Sequence, residues 1–216
     1  MSITYTNFLT QVRNYTEVDS NVLSDTLLDQ FIRNAELDIA NKVDYDDIRK
    51  YVTATTAPNQ RYLNTPEDTM YIRSIQIISS STRDFLEKWD TSFIAEYNPG
   101  DSSGQPKYFA NWDAKNILLS PVPDQAYEIQ MNYIKDPDHF NSTTETYLSK
   151  HQEALLLYTV LVECFSYLKG PMDMYKLYQD KYNSTMQDFA LQNMGRRRRG
   201  EYDSGVPRVQ IPSASP

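Results

Sequence analysis

The side chains that could do chemistry in this chain are few, and their spacing fits no catalytic or metal-binding pattern. The two histidines, His139 and His151, stand twelve residues apart, and Cys164 is the single cysteine. That count leaves no internal disulfide framework and no zinc spacing. Both histidines read as ordinary surface residues. Cys164 lies among apolar residues with no cation close in sequence, so it reads as a buried, inert thiol. Asp44, Asp46 and Asp47 imitate the start of a calcium loop, but Arg49 and Thr55 stand where such a loop needs Gly and Glu, so a solvated turn is expected. With only six glycines there is no phosphate-cradling loop and no nucleophile elbow. The 29 acidic residues ensure that some pair lies close in space. A glycan hydrolase working through paired carboxylates therefore stays open, with no two acids selected for it. No catalytic, cofactor-binding or metal-binding residue is assigned.

Two patterns point to binding. Tyr175, Tyr178, Tyr182, Met186 and Phe189 recur at helical spacing. They could stack bases of single-stranded nucleic acid, but the spacing and the mixed flanking charges favour packing of one helix on another. The run Arg196, Arg197, Arg198 and Arg199 could bind phosphate, solubilise a helix end or plug an acidic partner, and the plug is preferred. Beyond it the chain is rich in Gly, Pro and Ser and cannot build a core. Within this arm Tyr202, Val206, Arg208, Val209 and Ile211 are candidate contacts, because Val209 and Ile211 alternate with Arg208 and Gln210 as in a strand that pairs with a partner's sheet.

The elements that would position these residues follow from periodicity. Phe8, Leu9 and Val12 mark a short helix over 6–15. A second helix, capped by Ser24 and ending near Lys42, carries Leu28, Phe31, Ile32, Ala35 and Ile39 on one face. Ile48, Lys50 and Val52 share one face of a strand in the segment 44–56. Strands are expected over 70–79 and 83–86, and a helical turn over 91–97. The stretch 104–137 then reads as a compact β unit set into a helical protein: a hairpin of 106–112 with 116–120 around Asp113-Ala114-Lys115, a Pro-x-Pro-Asp turn, and a strand in which Tyr127, Ile129, Met131 and Tyr133 alternate with Glu128, Gln130 and Asn132. From 154 to 168 only Thr159, Glu163 and Ser166 are polar, which predicts a central, buried helix. Gly170 ends it and Pro171 starts the next helix, which runs to about Met194. The expected fold class is α+β: a helical bundle from 1–43 and 138–195, an inserted antiparallel β lobe from 44–137, and an extended C-terminal arm from 196–216.

Net charge is −8, but residues 196–216 carry +3 and residues 1–195 carry −11. An acidic body does not grip nucleic acid, although DNA could pass it without sticking. Seventeen tyrosines suit surfaces that become interfaces. The first fourteen residues hold no apolar signal region, and the longest apolar run is far short of the ~20 residues that span a bilayer, so a soluble protein made in a cytoplasm is expected.

The order of elements resembles the head-to-tail adaptor (connector, or neck) proteins of tailed bacteriophages. The resemblance covers most of residues 3–200. It rests on the early helix pair, the segment from Tyr62 to Asp68, Gly104-x-Pro106-x-Tyr108, Ile117-Leu118-Leu119-Ser120-Pro121-x-Pro123-Asp124, the strand through Tyr133 with Pro137, and the terminal helical hairpin. Where the family often shows Leu-Pro-x-Asp, this chain has Asn64-Thr65-Pro66-Glu67-Asp68. The resemblance implies a non-enzymatic, cofactor-free structural part of the virion neck. It implies a homo-oligomeric ring, usually of twelve copies, docked beneath the portal protein, extending the DNA channel and offering a platform to tail nozzle, tube or fibre proteins. In that family the C-terminal segment commonly reaches into the portal. The alternative reading from the residues is a nucleic-acid-binding protein using Arg196 to Arg199.

Overall fold

The structure is a computed structural model that describes residues 3–79 and 82–201, without the side chains of 194–201. In chain order the elements are α1 (Tyr5–Thr16), α2 (Asp25–Lys42), a 3-10 turn (Asp46–Ile48), β1 (Arg49–Thr55), β2 (Tyr62–Asn64), β3 (Thr69–Ile78), β4 (Arg83–Lys88), α3 (Thr91–Tyr97), β5 (Tyr108–Asn111), β6 (Asn116–Ser120), β7 (Glu128–Lys135), α4 (Tyr147–His151), α5 (Glu153–Tyr167) and α6 (Met172–Glu201). The mixture is the expected α+β. The chain divides into two compact units, Met1–Asp46 with Pro137–Pro216, and Asp47–Asp136.

In the helical unit, α5 packs against α1, α2, α4 and α6. Leu155, Leu156, Leu157, Val160, Leu161, Cys164 and Phe165 are all buried, as the nearly unbroken apolar sequence requires. Each such side chain contributes about 1.5–3 kcal/mol by leaving water. Its expected polar stripe is only partly wet: Thr159 is buried and donates its hydroxyl back to the Leu155 carbonyl at 2.7 Å. The caps of α1 and α2 are Thr4 and Ser24, whose hydroxyls accept from the Asn7 and Leu27 amides. The short helix α4 has no counterpart in the sequence reading. It is started by a capping box between Thr146 and Ser149, and Gln152, at φ −136° and ψ 39°, separates it from α5. The α5–α6 corner also differs in detail from expectation. Lys169, not Gly170, takes the left-handed conformation, at φ 51°. Gly170 is required for space, because a Cβ there would lie 2.7 Å from Phe165 Cδ1.

The second unit is a seven-stranded sheet in the order β1-β7-β3-β4-β5-β6-β2. Its pairings are antiparallel except for β4 with β5. The three strands of the stretch 104–137 are therefore not all neighbours in the sheet. The hairpin β5–β6 forms as expected, with the Asp113 carboxylate accepting from the Lys115 and Asn116 amides at 2.7 and 2.8 Å. But β7 leaves it and inserts between β1 and β3. The reason lies in the apolar rows. Ile129 and Met131 pair with Ile77 and Ile75 of β3, and these side chains build one core with Ile72, Leu86, Phe109, Ile117 and Leu119. The strand β6 has already filled both its edges with β5 and β2. The Pro121–Asp124 turn is held away by Val122, whose carbonyl accepts from Gly104 N–H at 2.8 Å and whose amide donates to Ser102 at 3.1 Å. A second small cluster, Ile94 with Ala110 and Leu118, packs α3 on the hairpin's other face. That explains why four successive residues of β6 are buried. Ile48 falls in the 3-10 turn rather than in a strand, while Val52 and Ala54 of β1 pack on the core.

Candidate interaction surfaces

His139 is not an ordinary surface histidine. Its Nδ1 lies 2.9 Å from Glu36 Oε2 and its Nε2 lies 3.1 Å from Asp29 Oδ1. Glu36 sits on the buried side of α2 with no exposure, and its other oxygen accepts from the Phe140 amide at 2.8 Å. Asp29 also accepts from the Tyr5 hydroxyl at 2.8 Å, and Arg33 donates to the Pro137 carbonyl at 2.6 Å. Burial pushes the Glu36 carboxyl above its ordinary value, with His139 and the Phe140 amide pulling partly back. Burial works against the charged imidazolium of His139, but Glu36 and Asp29 more than offset it, so that pKa rises. Both ring nitrogens are engaged and an imidazolium can donate through each, so the node ties the chain segment 137–140 to α2. The signal for it was in the sequence: Glu36 is a charge set between Ile32, Ala35 and Ile39 in an otherwise apolar stripe.

The tyrosine stripe of α6 is packing. Tyr178, Tyr182 and Phe189 are buried, and the Tyr178 ring stacks on Phe165 at 5.1 Å. The Tyr182 hydroxyl donates to Asp38 at 2.6 Å, and Lys42 bridges to the same carboxylate at 2.7 Å. These rings have no face left for bases. Cys164 is buried, and burial pushes its thiol up to about 12, which makes it inert. Among the described residues no group of three His, Cys, Asp or Glu side chains could hold a metal ion. No described helix is long and apolar enough to cross a membrane.

The sheet unit carries a different chemistry. Strand alternation puts Tyr51 of β1 and Phe85 of β4 on the face opposite the core, and they are 69% and 66% exposed. Between them runs a row of polar bonds. Arg83 donates to Gln130 at 3.4 Å, Gln130 to Asn132 at 3.2 Å, and Asn132 to Ser74 at 3.0 Å. A groove of about 430 Å³ opens at the end of this row, lined by Arg49, Lys50, Tyr51, Arg73, Ser74, Asn132 and Tyr133. Lys50 is partly balanced by Asp68 at 3.6 Å. Next to α3, Trp89, Phe93 and Tyr97 form a stacked series at 4.4 and 5.8 Å, with Tyr108 edge-on to Tyr97. Trp112 lies against Tyr62 at 5.6 Å. Exposed Tyr51 and Phe85 with arginines beside them have the usual composition of a protein–protein contact. Sequence reasoning missed this surface because its residues come from four strands that are far apart in the chain.

The arginine run lies within α6, whose backbone is helical to Glu201, but the side chains of Arg196 to Arg199 fall outside the described set. Tyr202, Val206, Arg208, Val209 and Ile211 lie outside the described residues altogether.

None of the curated, characterised proteins matches the chain in sequence. One family model matches it over residues 3–208, nearly its whole length, and that model describes the SU10 adaptor protein. A match of that extent takes in both units, and it agrees with the order of motifs that pointed to phage head-to-tail adaptors. The chain belongs to the SU10 adaptor protein family.

Proposed function

We propose that this protein is a structural adaptor of a phage virion that forms a ring between the portal vertex and the tail, extends the DNA channel and carries the tail attachment platform. The observation that carries the reading is the family match across residues 3–208. Three features support it. The body is strongly acidic, which lets DNA slide past rather than stick. The sheet unit exposes both tryptophans of the chain, as a surface built to meet protein does. Three rings of the α6 stripe that could have stacked nucleic acid, Tyr178, Tyr182 and Phe189, are buried in the helical unit. The segment from Arg196 onward is the proposed portal-docking arm, with Arg208, Val209 and Ile211 as its contacts and the Arg196–Arg199 run as its basic base.

Deletion of residues 200–216 tests the arm. The shortened protein should keep its far-ultraviolet circular dichroism and lose binding to purified portal rings. Undiminished portal binding would remove the arm from the reading. Electron micrographs of the full-length protein mixed with portal should show a second ring stacked on the first, and portal alone would count against the ring itself.

A further inference from the structure

A ring of identical subunits needs two different surfaces per chain that fit each other, because a head-to-tail contact is heterologous. Two exposed surfaces of this chain are complementary in both charge and apolar content. One is the outer face of the sheet, where Arg49, Arg73 and Arg83 outnumber the exposed Glu87 and Glu128 around Tyr51 and Phe85. The other is on α6. Asp173, Asp180 and Asp188 are exposed there, and at 3.6 residues per turn they fall within an arc of about 80°. Leu177 and Leu191 lie inside the same arc and are exposed, at 44% and 58%. Two lysines border this arc, the half-exposed Lys181 about 20° beyond Asp188 and the exposed Lys176 about 40° beyond Asp180.

The dimensions agree. Asp173 and Asp188 are about 22 Å apart along the helix at 1.5 Å per residue. Arg49 aligns with Ile134, which faces Tyr71, and Arg83 pairs with Ile78. Seven residues along β3 and three strand spacings across separate the two arginines by roughly 25 Å. The division of charge also fits. Residues 1–46 and 137–195 hold 15 acids against 7 Lys and Arg, whereas residues 47–136 hold 12 against 9.

We propose that the outer face of the sheet, through Arg49, Tyr51, Arg73, Arg83 and Phe85, docks on the acidic, leucine-bearing face of α6 in a second copy of this chain. The inference rests on the ring reading and gives it a subunit contact. Arginine forks meeting aspartates set the register, and Tyr51 and Phe85 against Leu177 and Leu191 supply the apolar burial.

The test uses the full-length protein and follows assembly by native mass spectrometry and sedimentation as salt is raised. The double variant Arg49→Glu with Arg73→Glu should weaken self-association at least roughly tenfold, and so should Asp180→Arg with Asp188→Arg. Mixing the two reversed variants should restore mixed assemblies. Circular dichroism and melting temperature of each variant, matched to wild type, show that folding is intact, and Phe85→Asp gives an independent disruption without touching an arginine. Wild-type self-association left unchanged by all three variants would overturn the proposal. So would a wild-type chain that stays monomeric at low salt, or a mixture that fails to reassociate. If assembly persists while the arginine variants lose low-salt binding to DNA, the face belongs to nucleic acid and the proposal falls. A ring that forms with portal despite the variants leaves the adaptor reading standing and removes only this contact.

Discussion

In the helical unit the unusual polar groups are consumed internally. Glu36, His139, Asp29 and Tyr5 bond to one another, and Asp38 is shared by Tyr182 and Lys42. In the sheet unit the corresponding chemistry is turned outward. Tyr51, Phe85, Trp89 and Trp112 are exposed, and arginines sit beside the first two. The difference assigns the units different work. A unit whose charges satisfy each other can hold a shape, and a unit whose rings face solvent can hold a partner. Damage to the enclosed groups of the first should appear as lost stability, and damage to the outer sheet face as lost association.

The largest stability effect should come from the α5 core. Leu156→Ala removes a fully buried side chain from the helix that four others pack on, and should destabilise the protein by about 2–5 kcal/mol in denaturant unfolding. Glu36→Ala leaves the His139 ring and the Phe140 amide without their buried acceptor and should lose about 3 kcal/mol. Gly170→Ala drives a Cβ into Phe165 and should cost about 1–3 kcal/mol. Phe85→Ser on the outer sheet face should change stability by less than about 0.5 kcal/mol. A large loss there would break the comparison, since it would make an exposed ring part of the scaffold.

A pH titration sharpens the same contrast. His139 has its folded pKa raised above the ordinary 6.5, so its contribution is fully present below that value and is lost as pH rises through the folded pKa. Glu36, raised above 4.5 by burial, acts in the same direction: the folded state loses ground as pH climbs past that value and the carboxyl ionises. Both groups are in the helical unit, and residues 47–136 contain no histidine. Stability should therefore decline from mildly acidic pH toward pH 8. His139→Gln should flatten that slope above pH 6.5. Hydrogen exchange should place the pH-sensitive protection in α1 and α2, with the strands nearly unaffected.

Most elements were legible in the chain, and the reasons are local. Ser24 at the start of α2, the apolar run of α5 and the alternation of β7 each state their structure within a few residues. The two largest misses share one cause, which is dependence on distant residues. The place of β7 between β1 and β3 is set by Ile75 and Ile77, more than fifty residues earlier. His139 looked ordinary because its partners, Asp29 and Glu36, precede it by over a hundred residues. The corner before α6 is a local exception: Lys169 takes the left-handed turn, and Gly170 lies against the ring of Phe165 only five residues earlier.

The sequence alone determined the fold class, the Ser24 cap of α2, the buried central helix, the inert cysteine and the order of motifs that marks the family. Those properties follow from hydrophobic period and capping, which act over one or two turns of chain. Only the tertiary structure decided the sheet order, the enclosed Glu36–His139–Asp29 node and the outward face of Tyr51, Phe85 and the arginines. A strand's neighbours, a buried charge's partner and a composite surface are all chosen by the packing of segments far apart in the chain, and the burial of apolar rows such as Ile75 with Met131 makes that choice.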